Sequence, residues 1–182
     1  RHNNAVTSTD LDFAEYNPVT IYHLASYGDS IFVGGDFDYN SAFSPNINTK
    51  NAEFLQFDFP IGAADVDHAI HGSCMYNNEL YVCGTQGFFG YYSGSSFFTI
   101  DYPAKSSSDV VYDITVIGNE IYLLGQFQGN EIMKVFNTST GNWRVISEIT
   151  KSENLAHGAR FRWIQNELYV CGNGLQDNSD NI

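Results

Sequence analysis

Short apolar segments that end in glycine recur four times along the chain. Each follows a polar dipeptide and has an aromatic second residue; with their dipeptides the segments span 28–35, 77–84, 118–125 and 165–172. They close on Gly35, Gly84, Gly125 and Gly172, which lie about 40 to 50 residues apart, a period typical of four-stranded blades. We expect these glycines to occupy equivalent strand ends, where a Cβ would clash.

The dipeptides predict tight hairpin turns, because Gly, Asn and Asp tolerate the positive φ that two-residue turns require. Gln165-Asn166 is the weakest of the four. Strands are predicted before the turns over 20–27, 70–76, 110–117 and 158–164. The strands after the turns are almost wholly apolar, which predicts that both of their faces are covered. Their aromatic residues are therefore expected to be buried between sheets: Phe32, Tyr81, Tyr122 and Tyr169.

The third repeat shows how each unit is completed. It has a further strand over 131–137, a turn over 138–142 and a fourth strand over 143–147. The second repeat follows the same plan with strands over 88–92 and 97–100. No apolar stripe at helical spacing is present, so the chain is predicted to be all-β. The period and the four-strand plan predict a β-propeller of four-stranded antiparallel blades.

The third repeat resembles a Kelch blade. It has the hairpin, a strand that ends in glycine, an aromatic residue at Phe136 and then Trp143. The double glycine of Kelch repeats occurs in the first repeat as Gly34-Gly35, and the segment over 31–37 is also similar to blades of fungal cortical-marker surface proteins. The resemblance implies that partners bind to loops on the face that carries the connections between blades.

The repeats divide the chain into predicted blades over 20–68, 69–108 and 109–156, followed by the first half of a further blade over 157–182. The N-terminal segment, 1–19, is expected to supply the outer strand of a preceding blade. This amounts to about three and a half blades, whereas a propeller closes with typically four to eight. We therefore expect a partial propeller whose missing blades come from adjoining chain or from another subunit.

The charge of the chain limits its partners. The formal net charge is −13, from 21 acidic and 8 basic side chains. Such a field repels phosphate backbones and anionic lipid surfaces, so nucleic acid is not an expected partner. No segment is long and apolar enough for membrane insertion. Cationic partners, metal ions or simple solubility fit this charge better, and protein or glycan is the expected class of partner.

The segment over 36–50 is predicted to be a long loop between the second and third strands of the first blade. Long loops in compact domains often carry function. Asp36, Asp38, Tyr39 and Phe43 are the candidate partner-binding residues in this loop; a tolerated insertion is the alternative.

A second cluster lies in the connection between the first two blades and consists of Asp65, Asp67, His68 and His71. Imidazole and carboxylate groups can hold a transition metal. The spacing matches no strict metal signature, and a strand that starts near Ala69 would point the two histidines to opposite faces. A solvated polar loop is therefore favoured over a metal site.

Asn137-Thr138-Ser139 forms an N-glycosylation sequon in a predicted turn, so Asn137 is a candidate glycosylation site. The cysteines are Cys74, Cys83 and Cys171, and buried structural thiols are expected rather than a disulfide.

No nucleophile elbow, phosphate loop or paired-cysteine metal motif occurs in the sequence, and no cofactor is expected. The leading hypothesis is a non-catalytic propeller, extracellular or on the cell surface, that acts as a scaffold or adhesive binding module for protein or glycan. One alternative is part of a secreted propeller-based enzyme, similar to galactose oxidase, whose catalytic residues lie outside this segment. Another is an intracellular Kelch-type adaptor.

Overall fold

A computed structural model describes residues 20–27, 30–36, 41–47, 52–58, 69–93, 97–129, 131–151, 159–172 and 175–177. Sixteen β-strands and no helix occur in these ranges. No helix in this part of the chain is long and apolar enough to cross a membrane. The chain divides into two compact units, Arg1–Ala69 and Ile70–Ile182.

The described part of the first unit contains two antiparallel hairpins. β1 (Thr20–Tyr27) pairs with β2 (Ser30–Asp36), and β3 (Ser41–Ile47) pairs with β4 (Ala52–Asp58). The prediction of one long loop over 36–50 is wrong, because β3 lies within it. Its Ser, Pro and Asn residues give no apolar alternation, and its partner strand supplies the backbone hydrogen bonds instead.

The second unit contains two complete four-stranded antiparallel sheets, as predicted for the second and third repeats. One has the order β5-β6-β7-β8: Ile70–Tyr76, Glu79–Gly84, Phe89–Tyr92 and Phe97–Thr99. The other has the order β9-β10-β11-β12: Val110–Ile117, Glu120–Gln126, Met133–Asn137 and Trp143–Val145. Each is a simple up-and-down meander. β9 packs against β5 and β6, so the two sheets stand side by side. We call β5, β9 and β14 (Arg160–Ile164) the innermost strands, because β9 contacts both of the others.

The fourth repeat is arranged differently. β14 (Arg160–Ile164) and β15 (Glu167–Cys171) form the expected hairpin. β13 (Ile149–Lys151), which precedes the hairpin, pairs antiparallel with β16 (Leu175–Asp177), which follows it. The partner of β16 is thus supplied from the N-terminal side of the hairpin.

The turns between paired strands adopt the predicted left-handed conformation. Asn77 and Asn78 have φ of 50° and 63°, and Gly118 has φ of 61°. Gln165 and Asn166, the weakest dipeptide by sequence, also have φ of 50° and 65°. The flanking strands therefore impose this geometry even where the first turn residue does not favour it.

Three repeats share a β-bulge beside the closing glycine. Gly35 lies opposite Ile21, Gly84 opposite Ile70 and Gly125 opposite Val111, and the register shifts by one residue directly afterwards. The residue skipped by each shift is Tyr22, His71 and Tyr112, respectively. In the fourth repeat, Gly172 directly follows β15. A bulge at the same place bends the first strand of each of these hairpins in the same way.

Two seams between neighbouring sheets are buried in the described part of the second unit. The first joins the β5–β8 sheet to the β9–β12 sheet; its buried residues are Tyr81, Cys83, Phe89, Tyr102, Val111, Ile114, Ile121, Leu123 and Phe127. The second joins the β9–β12 sheet to the β14–β15 hairpin; its buried residues are Tyr112, Leu124, Ile132, Met133, Ala159 and Phe161. The β9–β12 sheet is apolar on both faces because it has a neighbour on either side.

The prediction that all four aromatic residues are buried is correct for Tyr81 and wrong for Tyr169. Tyr81 is 4% exposed, Tyr122 is partly buried against the second seam, and Tyr169 is 44% exposed. The side chain of Phe32 lies outside the described residues. Tyr169 is exposed because no described strand packs on its face of β15, whose neighbours Leu168 and Val170 point to the second seam.

Candidate binding surface

The four residues predicted to bind a partner are only partly described. Asp36 ends β2 and Phe43 lies in β3, where the backbone is described and the side chains are not. Asp38 and Tyr39 lie outside the described residues. This candidate site therefore stays a prediction.

The predicted metal cluster is described at one residue only, because Asp65, Asp67 and His68 lie outside the described residues. His71 is the bulge residue of β5; it is buried, and its ring stacks on Tyr112 with 5.8 Å between centroids and 11° between planes. Among the residues that the structure describes, no group of three or more His, Cys, Asp and Glu could hold a metal ion. His71 is thus part of the packing between two innermost strands.

Hydrogen bonds of Asp109 hold the connection between the β5–β8 and β9–β12 sheets, residues 100–109. The buried carboxylate accepts hydrogen bonds from the Tyr102 hydroxyl at 3.0 Å and the Ser106 amide at 3.1 Å. The Asp109 carbonyl accepts a bond of 2.7 Å from the Gly87 amide in the β6–β7 connection. Burial and the nearby Asp109 charge raise the pKa of Tyr102, so this phenol remains a neutral donor.

Lys134 joins this loop to the β10–β11 connection. Its ammonium lies 5.4 Å from the centroid of Tyr102 and 5.2 Å from that of Phe127, and it pairs with Glu131 at 2.6 Å. The lysine is buried, so its charge is balanced by one carboxylate and two aromatic faces. Three segments from two sheets are thereby held as one surface, which we call the connection face: its described residues are 85–88, 100–109, 127–129 and 131.

Most exposed side chains of the connection face are polar, and Pro103 and Ala104 are exposed beside them. Asp101, Ser107, Ser108 and Gln128 are exposed, and Asp101 forms a surface ion pair with Lys105 at 2.8 Å. These groups can accept and donate hydrogen bonds to a peptide or a sugar. A surface ion pair adds little stability, so Asp101 remains available to a ligand.

Asn137, the candidate glycosylation site, closes the turn between β11 and β12. Its side-chain oxygen accepts hydrogen bonds from the amides of Ser139 at 3.1 Å and Thr140 at 3.0 Å. Its carbonyl accepts a bond from the Gly141 amide, and its side chain also hydrogen-bonds to Glu120. The side-chain oxygen of Asn137 therefore caps this turn.

Asn137→Ala is expected to lower the free energy of unfolding by about 1 kcal/mol, because two turn amides lose their acceptor. Ser139→Ala also removes the sequon but leaves the Asn137 cap, and it is expected to change stability by less than about 0.5 kcal/mol. Urea unfolding of protein made without glycosylation measures both. Equal losses in the two variants would contradict a capping role.

A hydrogen-bonded Glu-x-Tyr pair recurs on one face of the hairpin in three repeats. This hydrogen bond was not predicted from the sequence. The tyrosine hydroxyl donates to the glutamate two residues earlier in Tyr81–Glu79 at 3.1 Å, Tyr122–Glu120 at 3.1 Å and Tyr169–Glu167 at 2.8 Å. The repeated Asn-Glu-Leu/Ile-Tyr string was the available signal. In the third repeat Arg144 adds a bond of 2.8 Å to Glu120 and stacks on Tyr122.

Asp113 on β9 links successive innermost strands. One carboxylate oxygen accepts from the Phe161 amide of β14 at 2.9 Å, and the other accepts from the Ile114 amide at 3.0 Å. A Cβ on Gly72 of β5 would lie 3.0 Å from Asp113 Oδ1, so that glycine makes room for the carboxylate. Burial raises the pKa of Asp113 above its ordinary value of 3.8, although the hydrogen bonds and Arg160 oppose this shift.

The contribution of Asp113 to the free energy of unfolding is expected to fall as pH rises above 3.8, because folded Asp113 holds its proton to a higher pH than the unfolded chain does. Asp113→Asn keeps an acceptor for the Phe161 amide and removes the titration. We therefore expect a shallower pH dependence in this variant, measured by urea unfolding from that pH upward. Parallel curves for the two proteins would refute the assignment.

The cysteines are free. Cys83 is buried and Cys74 partly so, and burial raises the pKa of the Cys74 thiol to about 12. Thiols in such surroundings are unreactive. The prediction of burial is wrong for Cys171, which is exposed on the same uncovered face of β15 as Tyr169.

Solved structures of other proteins are similar to this chain in fold. No family model and no curated protein matches the sequence. Two solved structures of the extracellular domain of BT4673 from B. thetaiotaomicron, described as a hybrid two-component or a one-component system, are similar over 91% and 88% of this chain. The sequence identities are 20% and 19%, and the TM-scores are 0.57 and 0.58. The chain spans about a quarter of that domain, 23% and 22% of the two chains.

YCF48, solved with a D1 peptide bound, is similar over 94% of this chain and 69% of its own length, with 15% identity and a TM-score of 0.53. The antiparallel four-stranded sheets and these similarities give the fold class, which is all-β with β-propeller blades. The prediction of a β-propeller is confirmed.

Proposed function

We propose that the chain is part of a non-catalytic binding module, extracellular or on the cell surface, whose connection face takes a protein or glycan ligand. The observation that carries the proposal is the locking of three connection-face segments by Asp109, Tyr102 and Lys134. Loops held rigidly on a scaffold are suited to binding, because little conformational entropy is lost when a ligand orders them. The exposed groups of this surface are hydrogen-bonding rather than catalytic.

The similar proteins support the same class of function. The BT4673 domain is extracellular, and YCF48 was solved with a peptide bound. We assign the blades to the Kelch type, in keeping with the resemblance of the third repeat. The expected aromatic and tryptophan are in contact, with 4.8 Å between the centroids of Phe136 and Trp143. Trp143 also lies 5.8 Å from Phe89 of the neighbouring sheet.

The proposal is tested by screening the full chain against glycan and peptide arrays and measuring Kd for the strongest ligand. Ser107→Arg combined with Gln128→Arg places two long cationic side chains on the connection face and is expected to weaken binding about tenfold or more, ~1.4 kcal/mol. Ser139→Arg combined with Thr140→Arg is the matched control, since both residues are exposed in the β11–β12 turn at the other end of the sheet. Equal weakening in the control, or no ligand on either array, would defeat the proposal.

A further inference from the structure

Each hairpin of the second unit has one face that carries its Glu-x-Tyr pair, which we call the forward face. In the β5–β8 sheet this face packs into the first seam, and in the β9–β12 sheet it packs into the second. On the β14–β15 hairpin the forward face consists of Arg160, Arg162, Ile164, Glu167, Tyr169 and Cys171. Here Ile164 is 52% exposed, and Arg162, Tyr169 and Cys171 are exposed as well.

Equivalent positions in the two preceding sheets are covered. Cys83 and Leu124, which correspond to Cys171, are both fully buried, and Tyr81 is buried where Tyr169 is not. The cover comes from the next innermost strand: β9 in the first seam and β14 in the second. The forward face of β14–β15 therefore has the same repeat positions that form an interface in each of the two preceding sheets, but here they are exposed.

The polar groups on the forward face of β14 are hydrogen-bond donors, whereas those on the forward face of β9 are acceptors. On β9 the forward face offers acceptors: Asp113 accepts from the Phe161 amide, and Thr115 accepts from the Trp163 indole at 3.2 Å. The corresponding residues on β14 are Arg160 and Arg162, which can only donate. Arg160 already donates to two backbone carbonyls, whereas Arg162 is exposed and donates to the Phe161 carbonyl at 2.6 Å. A guanidinium has five N–H donors, so Arg162 retains donors for a partner.

A second copy of this chain does not supply the matching acceptor. The strand that covers a forward face presents the residues equivalent to Phe161 and Trp163. In the other three repeats these residues are Leu24 and Ser26, Ser73 and Met75, and Ile114 and Val116. None of them carries a carboxylate.

We propose that the forward face of β14–β15 docks a further blade-type β-hairpin whose innermost strand carries Asp or Glu opposite Arg162, and that this hairpin is not a copy of any in the 182 residues. The carboxylate pairs with the Arg162 guanidinium, while apolar residues of the same strand cover Ile164 and Tyr169. This restores the burial that the same positions have in the preceding two seams.

The test extends the full chain, through a flexible linker, with a second copy of residues 109–146, which contain no cysteine. In one version the appended copy carries Val116→Glu, and in the other Val116→Gln. The measured quantity is the alkylation rate of Cys171, assigned by peptide mass. A docked strand is expected to slow this rate about tenfold or more, because alkylation requires an accessible thiol.

The Glu version is expected to protect Cys171 more strongly than the Gln version. This difference should vanish when Arg162→Gln is introduced in the chain itself and persist with Arg162→Lys, which keeps the charge. Equal protection by the Glu and Gln versions, or none by either, would overturn the proposal. Dimerisation of the unextended chain in sedimentation, with Cys171 protected, would also overturn it and identify a second copy as the occupant.

Discussion

Tyr81→Ala is expected to lower the free energy of unfolding by about 3–5 kcal/mol, the range for truncating a large aromatic side chain in a core. The ring lies between two sheets, 6.0 Å from Phe89 and 5.2 Å from Tyr91 between centroids. Its loss leaves a cavity in the first seam that the stiff surrounding strands do not fill. Urea unfolding measures the effect, and Tyr81→Phe separates the ring from the bond to Glu79.

Tyr169→Ala is the matched control, because Tyr169 has the same repeat position and makes the same bond to a glutamate. Its ring is largely exposed, and its removal is expected to cost less than about 0.5 kcal/mol. A large loss at Tyr169, comparable with that at Tyr81, would show that both faces of the β14–β15 hairpin are covered in solution.

Gly125→Ala is expected to cost about 3 kcal/mol, the upper end of the usual range for overpacking. A Cβ at Gly125 would lie 2.3 Å from the carbonyl oxygen of Val110, and backbone atoms cannot move aside as a flexible side chain can. The added methyl group therefore forces β9 and β10 apart beside the bulge. Thermal unfolding followed by circular dichroism measures the loss.

Gly118→Asn controls for the removal of a glycine. Gly118 has positive φ, and a Cβ there would have no atom within 4 Å. Asn77 occupies the equivalent turn position with φ of 50°, so asparagine suits this geometry. The variant is expected to be within about 0.5 kcal/mol of the wild type. A loss as large as that of Gly125→Ala would indicate a general need for glycine rather than a steric one.

The hairpins were predictable because their signals are local. A two-residue turn is encoded by its dipeptide, and the apolar strand after it is visible in five consecutive residues. β3 was not predictable in this way, because Pro45 and its polar neighbours resemble a loop and only pairing with β4 makes them a strand. The exposure of Tyr169 was also beyond the sequence pattern, since burial depends on which sheet lies next to a face.

The connection face could not be predicted from sequence for a similar reason. Tyr102, Asp109 and Lys134 follow no periodic pattern, and they meet only because β11 of one sheet lies near the loop that leaves β8 of the other. An aspartate directly before the predicted strand over 110–117 was the clue available in the sequence. Asp113 gave none, because the other repeats have His23, Gly72 and Arg160 at its position.

The pairing of β13 with β16 has a consequence for the order of folding. These strands enclose the β14–β15 hairpin, so their contacts are non-local, whereas the hairpin closes through a two-residue turn. Loop-closure entropy makes the short-range contact the faster one to form, and a formed hairpin brings the two outer strands together. We infer that the β14–β15 hairpin is the folding nucleus of this repeat and that β13 and β16 pair last.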